Sequence, residues 1–258
     1  MKVHLITDLE GPAMITSFTQ TRDVTPEDKA ISMQLLTGEV NSCVDGILDF
    51  DANAEVVVWD GHGSGGISLL DFHPAAKFLP HSHIAAPYGL NASFDALFFV
   101  GQHAMAGTEN APLCHTYSSK TIEYFKINGV AHGEFGCRAI MAGTMGVPTV
   151  FLAGDDKAVA EARALVPRLH GAAVKIGLGR ECALSLSPIA ARKLIRETAA
   201  RACADIGNIP PVTVEPPFEQ EIRVYEGVSV EGYLSRGFQK IDERTVVKTS
   251  GNILELVI

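Results

Sequence analysis

In Val3-His4-Leu5-Ile6-Thr7-Asp8-Leu9-Glu10-Gly11, an apolar run stops abruptly in acidic residues and a glycine. That is the pattern of a buried strand delivering side chains to its C-terminal edge, where open α/β sheets keep their ligand sites. Residues two apart in an extended chain point to the same side. Asp8 and Glu10 therefore face one pocket while Leu9 turns into the core, and Gly11 permits a sharp turn. Taken alone, the same residues also describe a helix N-cap followed by a surface acid.

The pattern recurs. Val56-Val57-Val58-Trp59 ends in Asp60-Gly61-His62-Gly63, and the run from Ala96 to Val100 ends in Gly101-Gln102-His103. Apolar strands that each terminate in glycine and potential ligands are hard to obtain from packing alone, and they suggest strand ends converging on one site. Neutral imidazole and carboxylate form the usual oxygen and nitrogen donor set for zinc or a similar divalent ion. A lone histidine at a strand end is more often a hydrogen-bonded edge residue. Two in equivalent positions, beside Asp8 and Glu10, shift the balance towards ligation. Glu134 follows Gly133 at the predicted start of a helix through about Met145, where the helix dipole favours a carboxylate even without metal. His115, in Leu113-Cys114-His115-Thr116, has no regular element around it to bury it, which fits a catalytic or hydrogen-bonding role. His81 and His83 lie in a proline-flanked loop with no nearby carboxylates and are set aside.

Between these strand ends the chain alternates helices and strands. Thr25-Pro26-Glu27-Asp28 supplies an N-cap, a first-position proline and first-turn acids for a helix to about Phe50. A β-like stretch from about Thr121 to Val130 contains the turn pair Asn128-Gly129. Val147 to Leu152 reads as a buried strand, Gly154-Asp155-Asp156 opens a helix to about Leu165, and Ala172 to Lys175 is expected to be the last strand of the main sheet. The alternation predicts a three-layer α/β/α sandwich with a largely parallel sheet. Beyond residue 175 the texture changes: Ser187-Pro188 caps a helix to about Ile206, Pro210-Pro211 and Pro216-Pro217 punctuate the chain, and Glu221 to Tyr225 and Thr245 to Lys248 look like short strands. The expected division is a metal-binding catalytic domain over 1–175 and a small α+β subdomain over 176–258.

Composition narrows the function classes. A formal net charge of -9 with scattered Lys and Arg leaves no basic footprint for nucleic acid. No segment approaches the roughly 20 apolar residues of a membrane span, and the N-terminus lacks the apolar stretch and cleavage site of a signal peptide. The expected address is cytoplasmic. Cys43, Cys114, Cys137, Cys182 and Cys203 form an odd set without CxxC spacing, so they are expected to be reduced thiols. Four are expected to pack in the core or between helices, with Cys114 the exception.

The order of these motifs resembles that of the DppA-type zinc D-aminopeptidases, over essentially the whole chain apart from a short C-terminal end. The matching pieces are Asp8-Leu9-Glu10-Gly11, Asp60-Gly61-His62, Gly101-Gln102-His103-Ala104, Cys114-His115-Thr116, Gly133-Glu134-Phe135-Gly136, Ala153-Gly154-Asp155-Asp156 and Ala173-Val174-Lys175. The resemblance implies that Asp8, Glu10, His62, His103 and Glu134 hold two zinc ions and that His115 is the catalytic residue beside them. It also implies a small peptide substrate with an N-terminal D-amino acid, and a homo-oligomer, a decamer of two stacked pentameric rings with the active sites facing an internal channel. Family serines are replaced by Ile6, Gly61 and Cys114; none is a ligand in the family, but the changes bear on substrate preference.

A ligand set of this kind implies one carboxylate, Asp8, bridging metals roughly 3.5–4 Å apart, with a water activated for attack on a peptide or amide carbonyl. The same donors also serve a dinuclear amidase or phosphoesterase. A rival from another class is a cytoplasmic peptide-binding protein of a dipeptide transport system.

Overall fold

The computed structural model describes residues 1–22, 25–81 and 84–257. In chain order its main elements begin with β1 (Lys2–Thr7), α1 (Pro26–Phe50), β2 (Glu55–Asp60), β3 (Ala76–Leu79), β4 (Ala96–Gln102), β5 (Ile122–Ile127), β6 (Val130–Ala131) and α2 (Glu134–Thr144). They continue with β7 (Thr149–Asp155), α3 (Asp156–Leu165), β8 (His170–Gly179), β9 (Cys182–Ser185), α4 (Pro188–Asp205), β10 (Phe218–Val224), α5 (Glu231–Leu234), β11 (Gln239–Lys240) and β12 (Thr245–Ser250).

A seven-stranded sheet in the order β3-β2-β1-β4-β7-β8-β9 forms the middle layer. Every pairing in it is parallel except β8 with β9. Strand β1 lies between β2 and β4, so the three strands whose ends carry the acidic and histidine motifs are immediate neighbours. Their side chains are buried on both faces, as the unbroken apolar runs require of a covered parallel sheet. Helices α1 and α4 pack together over one face, and α2 and α3 form the other layer. At the start of α1, the Thr25 side chain accepts the Asp28 backbone N–H at 3.2 Å, and Pro26 occupies the first helical position.

The second sheet, β11-β12-β10-β5-β6, is antiparallel. Asn128 and Gly129 join β5 to β6 with φ of 50° and 78°, the left-handed pair a tight hairpin turn demands. Sheet membership does not change over at residue 175. The strand expected over Ala172–Lys175 runs on to Gly179, β9 and α4 stay with the large sheet, and the small sheet takes β5 and β6 from earlier in the chain.

All five cysteines are free, but their placement departs from expectation at Cys182, which is exposed on β9. Among the described residues, no helix is long and apolar enough to cross a membrane.

Candidate metal centre

Glycines set how closely the strand ends approach. The Asp8 N–H donates to the Val100 carbonyl at 3.0 Å and the Gly11 N–H to the Gly101 carbonyl at 2.7 Å. Gly101 has φ +79°, and a Cβ there would collide with the Asp8 carbonyl; a Cβ at Gly11 would strike the Gly101 backbone. Glycine is required at both points because two backbones cross in contact. That crossing brings the residues after β1 against the end of β4. After β2, the Asp60 carboxylate accepts the backbone N–H groups of Gly66 and Ile67, folding the loop that carries His62 back over the sheet edge.

All five residues expected as ligands, together with His115, line one cluster. His103 Nε2 lies 3.2 Å from Asp8 Oδ2 and 3.5 Å from Glu134 Oε1. His62 Nε2 is 3.3 Å from Glu10 Oε1, and His115 Nε2 is 3.9 Å from Glu134 Oε1. The His115 ring stacks on that of His103, centroids 4.0 Å apart and planes within 12°. So His115 is enclosed after all, although no helix or strand carries it. Asp8, Glu10, His103 and Glu134 are all buried.

Among the described residues, two sets of donor atoms are compact enough to hold an ion: Asp8, Glu10 and His103, and His103, His115 and Glu134. His103 belongs to both. Its Nδ1–H donates to the Ala104 carbonyl at 2.9 Å, and that of His115 to the Leu113 carbonyl at 2.8 Å. Each bond fixes the tautomer and turns Nε2 inward, as partners of metal-binding imidazoles do. Glu10 Oε2 and His103 Nε2 are buried with no hydrogen-bond partner among the described residues. Buried polar atoms are rarely left so. Oxygen and nitrogen donors, orphaned lone pairs and no thiolate together fit a zinc-type divalent cation.

The electrostatics point the same way. Burial, then the charge of Glu10, raises the Asp8 carboxyl to about 6. Burial pulls the His62 imidazole down, but the Glu10 carboxylate outweighs it and lifts the ring to about 9. Burial likewise opposes ionisation of Glu10, yet the surrounding imidazoles, His62 foremost, hold its carboxyl well below the ordinary range. Packed carboxylates of this kind attract positive charge strongly. His115 is the contrasting case: burial and the neighbouring charge of His103 lower it to about 4.

Residues that sequence reasoning did not assign hold the cluster in place. Arg138 Nη2 pairs with Glu134 Oε2 at 3.1 Å, and the Tyr117 N–H donates to Glu134 Oε1 at 2.9 Å. The pair's i, i+4 spacing on α2 was the available signal. Breaking a buried ion pair from one side costs about 3–5 kcal/mol. Arg138→Met is therefore expected to lower the melting temperature by roughly 10 °C, which thermal denaturation would read; an unchanged melting temperature would show that the pair contributes nothing.

Lys175, on β8, is fully buried and donates to the carbonyl oxygens of Glu10, Pro12 and Ile15. Glu39 of α1 accepts the Ala13 N–H at 2.8 Å. Together they clamp the loop that begins at Glu10. Supporting residues of this kind are worth roughly 10–100-fold in metal affinity. Lys175→Met is expected to weaken binding on that scale in chelator competition, and an unaltered affinity would reduce Lys175 to a packing role.

Above the cluster opens a cavity of about 600 Å³, walled by Arg22, Trp59, His81, Tyr88, Tyr117 and Lys120 among others. Trp59 and Tyr88 stack at 4.0 Å with planes 7° apart, giving one wall a flat aromatic surface. His81, set aside on sequence, thus borders the site, while His83 lies outside the described residues.

Parallel strand ends that aim carboxylates and imidazoles into such a cavity have the form of a metal centre at the sheet edge of an α/β fold. Comparison with known proteins gives the family. The D-aminopeptidase (peptidase M55) family model matches residues 1–258. A D-aminopeptidase of Bacillus subtilis (strain 168) is 30% identical over 223 residues, which make up 84% of this chain and 78% of that protein. A solved structure described as the Zn-dependent D-aminopeptidase DppA from Bacillus subtilis, a self-compartmentalizing protease, superposes with a TM-score of 0.91 at 28% identity, covering 99% of this chain and 93% of its own. The chain belongs to the D-aminopeptidase family and is an aminopeptidase.

Proposed function

We propose that the chain is a dinuclear zinc aminopeptidase that hydrolyses short peptides or amino-acid amides bearing an N-terminal D-amino acid. The observation that supports the dinuclear reading is the number of donors: the compact set of Asp8, Glu10 and His103 continues to His62, 3.3 Å from Glu10, and to Glu134, 3.5 Å from His103, more donors than one four-coordinate ion uses. In this reading Asp8, Glu10, His62, His103 and Glu134 hold the two ions and His115 is catalytic. The zinc and the D-residue preference rest on the relatives described above.

Zinc, when bound, supplies Lewis acidity and lowers the pKa of water from about 15.7 towards 7. The chain's own groups do the rest. With Nδ1–H committed to the Leu113 carbonyl, neutral His115 presents an unprotonated Nε2 beside Glu134. It can accept a proton from the attacking water and return it to the departing amine. Arg138 and the Tyr117 N–H keep Glu134 from rotating away. The Trp59–Tyr88 wall offers an apolar surface to a substrate side chain.

The description of the solved relative as self-compartmentalizing supports a homo-oligomer; a decamer of two stacked pentamers that works in the cytoplasm is the specific form proposed. The substrate reading is tested with D-Ala-D-Ala, L-Ala-L-Ala, glutamyl dipeptides and a generic phosphodiester. Preferential cleavage of D-Ala-D-Ala is expected; turnover of the phosphodiester alone would remove the peptidase assignment.

A further inference from the structure

Strand β8 is longer than its neighbours and, with β9, forms a hairpin whose outward face is apolar. Ile176, Leu178, Leu184 and Leu186 are 50%, 60%, 64% and 38% exposed. They are contiguous: Ile176 lies directly opposite Leu184 in the register, and the Leu186 N–H bonds back to the Val174 carbonyl. The preceding residues on the same side of β8, Ala172 and Val174, are fully buried, so this face begins where the covering layer ends. Exposed edge strands are normally protected by charge or proline; Cys182-Ala183-Leu184-Ser185 has neither. The charged residues at the hairpin tip, Arg180 and Glu181, are exposed but engaged with Phe18, Glu181 Oε1 accepting the Phe18 N–H at 2.8 Å and the Arg180 guanidinium lying 5.6 Å over the Phe18 ring.

We propose that this face of the β8–β9 hairpin is where a second copy of the chain docks, and that docking steadies the catalytic loop. The proposal rests on the homo-oligomer reading above. The four side chains expose roughly 400 Å² of apolar surface, at the level where a patch on a soluble protein marks an interaction site. That would supply the apolar centre of an interface of roughly 800 Å² per partner. Uncharged strand and apolar ladder suit a like surface better than a charged ligand. The route to the active site is short. The Arg180 carbonyl accepts the Leu113 N–H at 2.7 Å, the Leu113 carbonyl holds His115 Nδ1, and Phe18 meets the His115 ring edge-on at 6.3 Å.

The test compares wild type with Leu184→Glu and Leu178→Lys by light scattering, zinc content, thermal melting and D-Ala-D-Ala turnover. Leu70→Glu, at a fully exposed leucine outside the hairpin, serves as the control and is expected to keep the wild-type mass. The hairpin variants are expected to melt cooperatively and retain zinc. Their mass falls towards the 27.5 kDa of one chain, and kcat drops roughly 10–100-fold as His115 loses its fixed position. Folded hairpin variants with the wild-type mass would overturn the docking surface. Reduced mass with unchanged kcat would overturn its tie to His115. A monomeric wild type would instead contradict the homo-oligomer reading itself, while leaving the aminopeptidase assignment to its own assay.

Discussion

His103→Ala is expected to strip the centre of bound metal and to reduce kcat/KM by more than the roughly 100-fold that losing a supporting residue costs. The imidazole lies within 3.2 Å of Asp8 and 3.5 Å of Glu134 and contributes to both compact donor sets. Its removal takes the donor nitrogen from among three buried carboxylates and takes away the ring on which His115 stacks. Carboxylates cannot stay ionised and close together without compensation. Either they protonate or the site loosens, and both destroy the ligand set. Zinc content and turnover measured on the same preparation would check this; a His103→Ala protein with full metal content would place the ions on other residues.

His115→Ala should separate chemistry from binding. The variant is expected to retain its metal and lose roughly 10²–10⁴-fold in kcat, the usual worth of a general acid–base group. KM should move far less, because the aromatic wall that receives the substrate remains. The informative alternative is structural: His115 also falls within a compact donor set with His103 and Glu134. Loss of metal along with turnover would make it a ligand, and the acid–base role would have to pass to another residue.

How far the sequence could be read follows from where each signal resides. The strands at Val3, Val56 and Ala96 were legible because each is a continuous apolar run ending in glycine, and their adjacency follows from ligand residues that must meet. Strands β3 and β9 were not legible. Ala76-Lys77-Phe78-Leu79 and Cys182-Ala183-Leu184-Ser185 are edge strands, partly exposed, without the run that burial on both faces imposes. The split between sheets was missed because apolar pattern identifies a strand but not its partner. Thus β5 pairs with β10, far along the chain.

The candidate ligands were readable as residue types at strand ends. Arg138 and Lys175 were not, because their roles exist only after folding. The first is one arginine on a helix until Glu134 turns towards it. The second is one lysine in an apolar strand until the loop after Glu10 crosses above it. Tyr117 contributes a backbone N–H, which no residue type announces.

Metal analysis of the purified protein by mass spectrometry tests the central claim most directly. About two zinc ions per chain are expected, diminished in His103→Ala and Glu134→Ala. A protein that holds no metal, even after incubation with zinc, would contradict it.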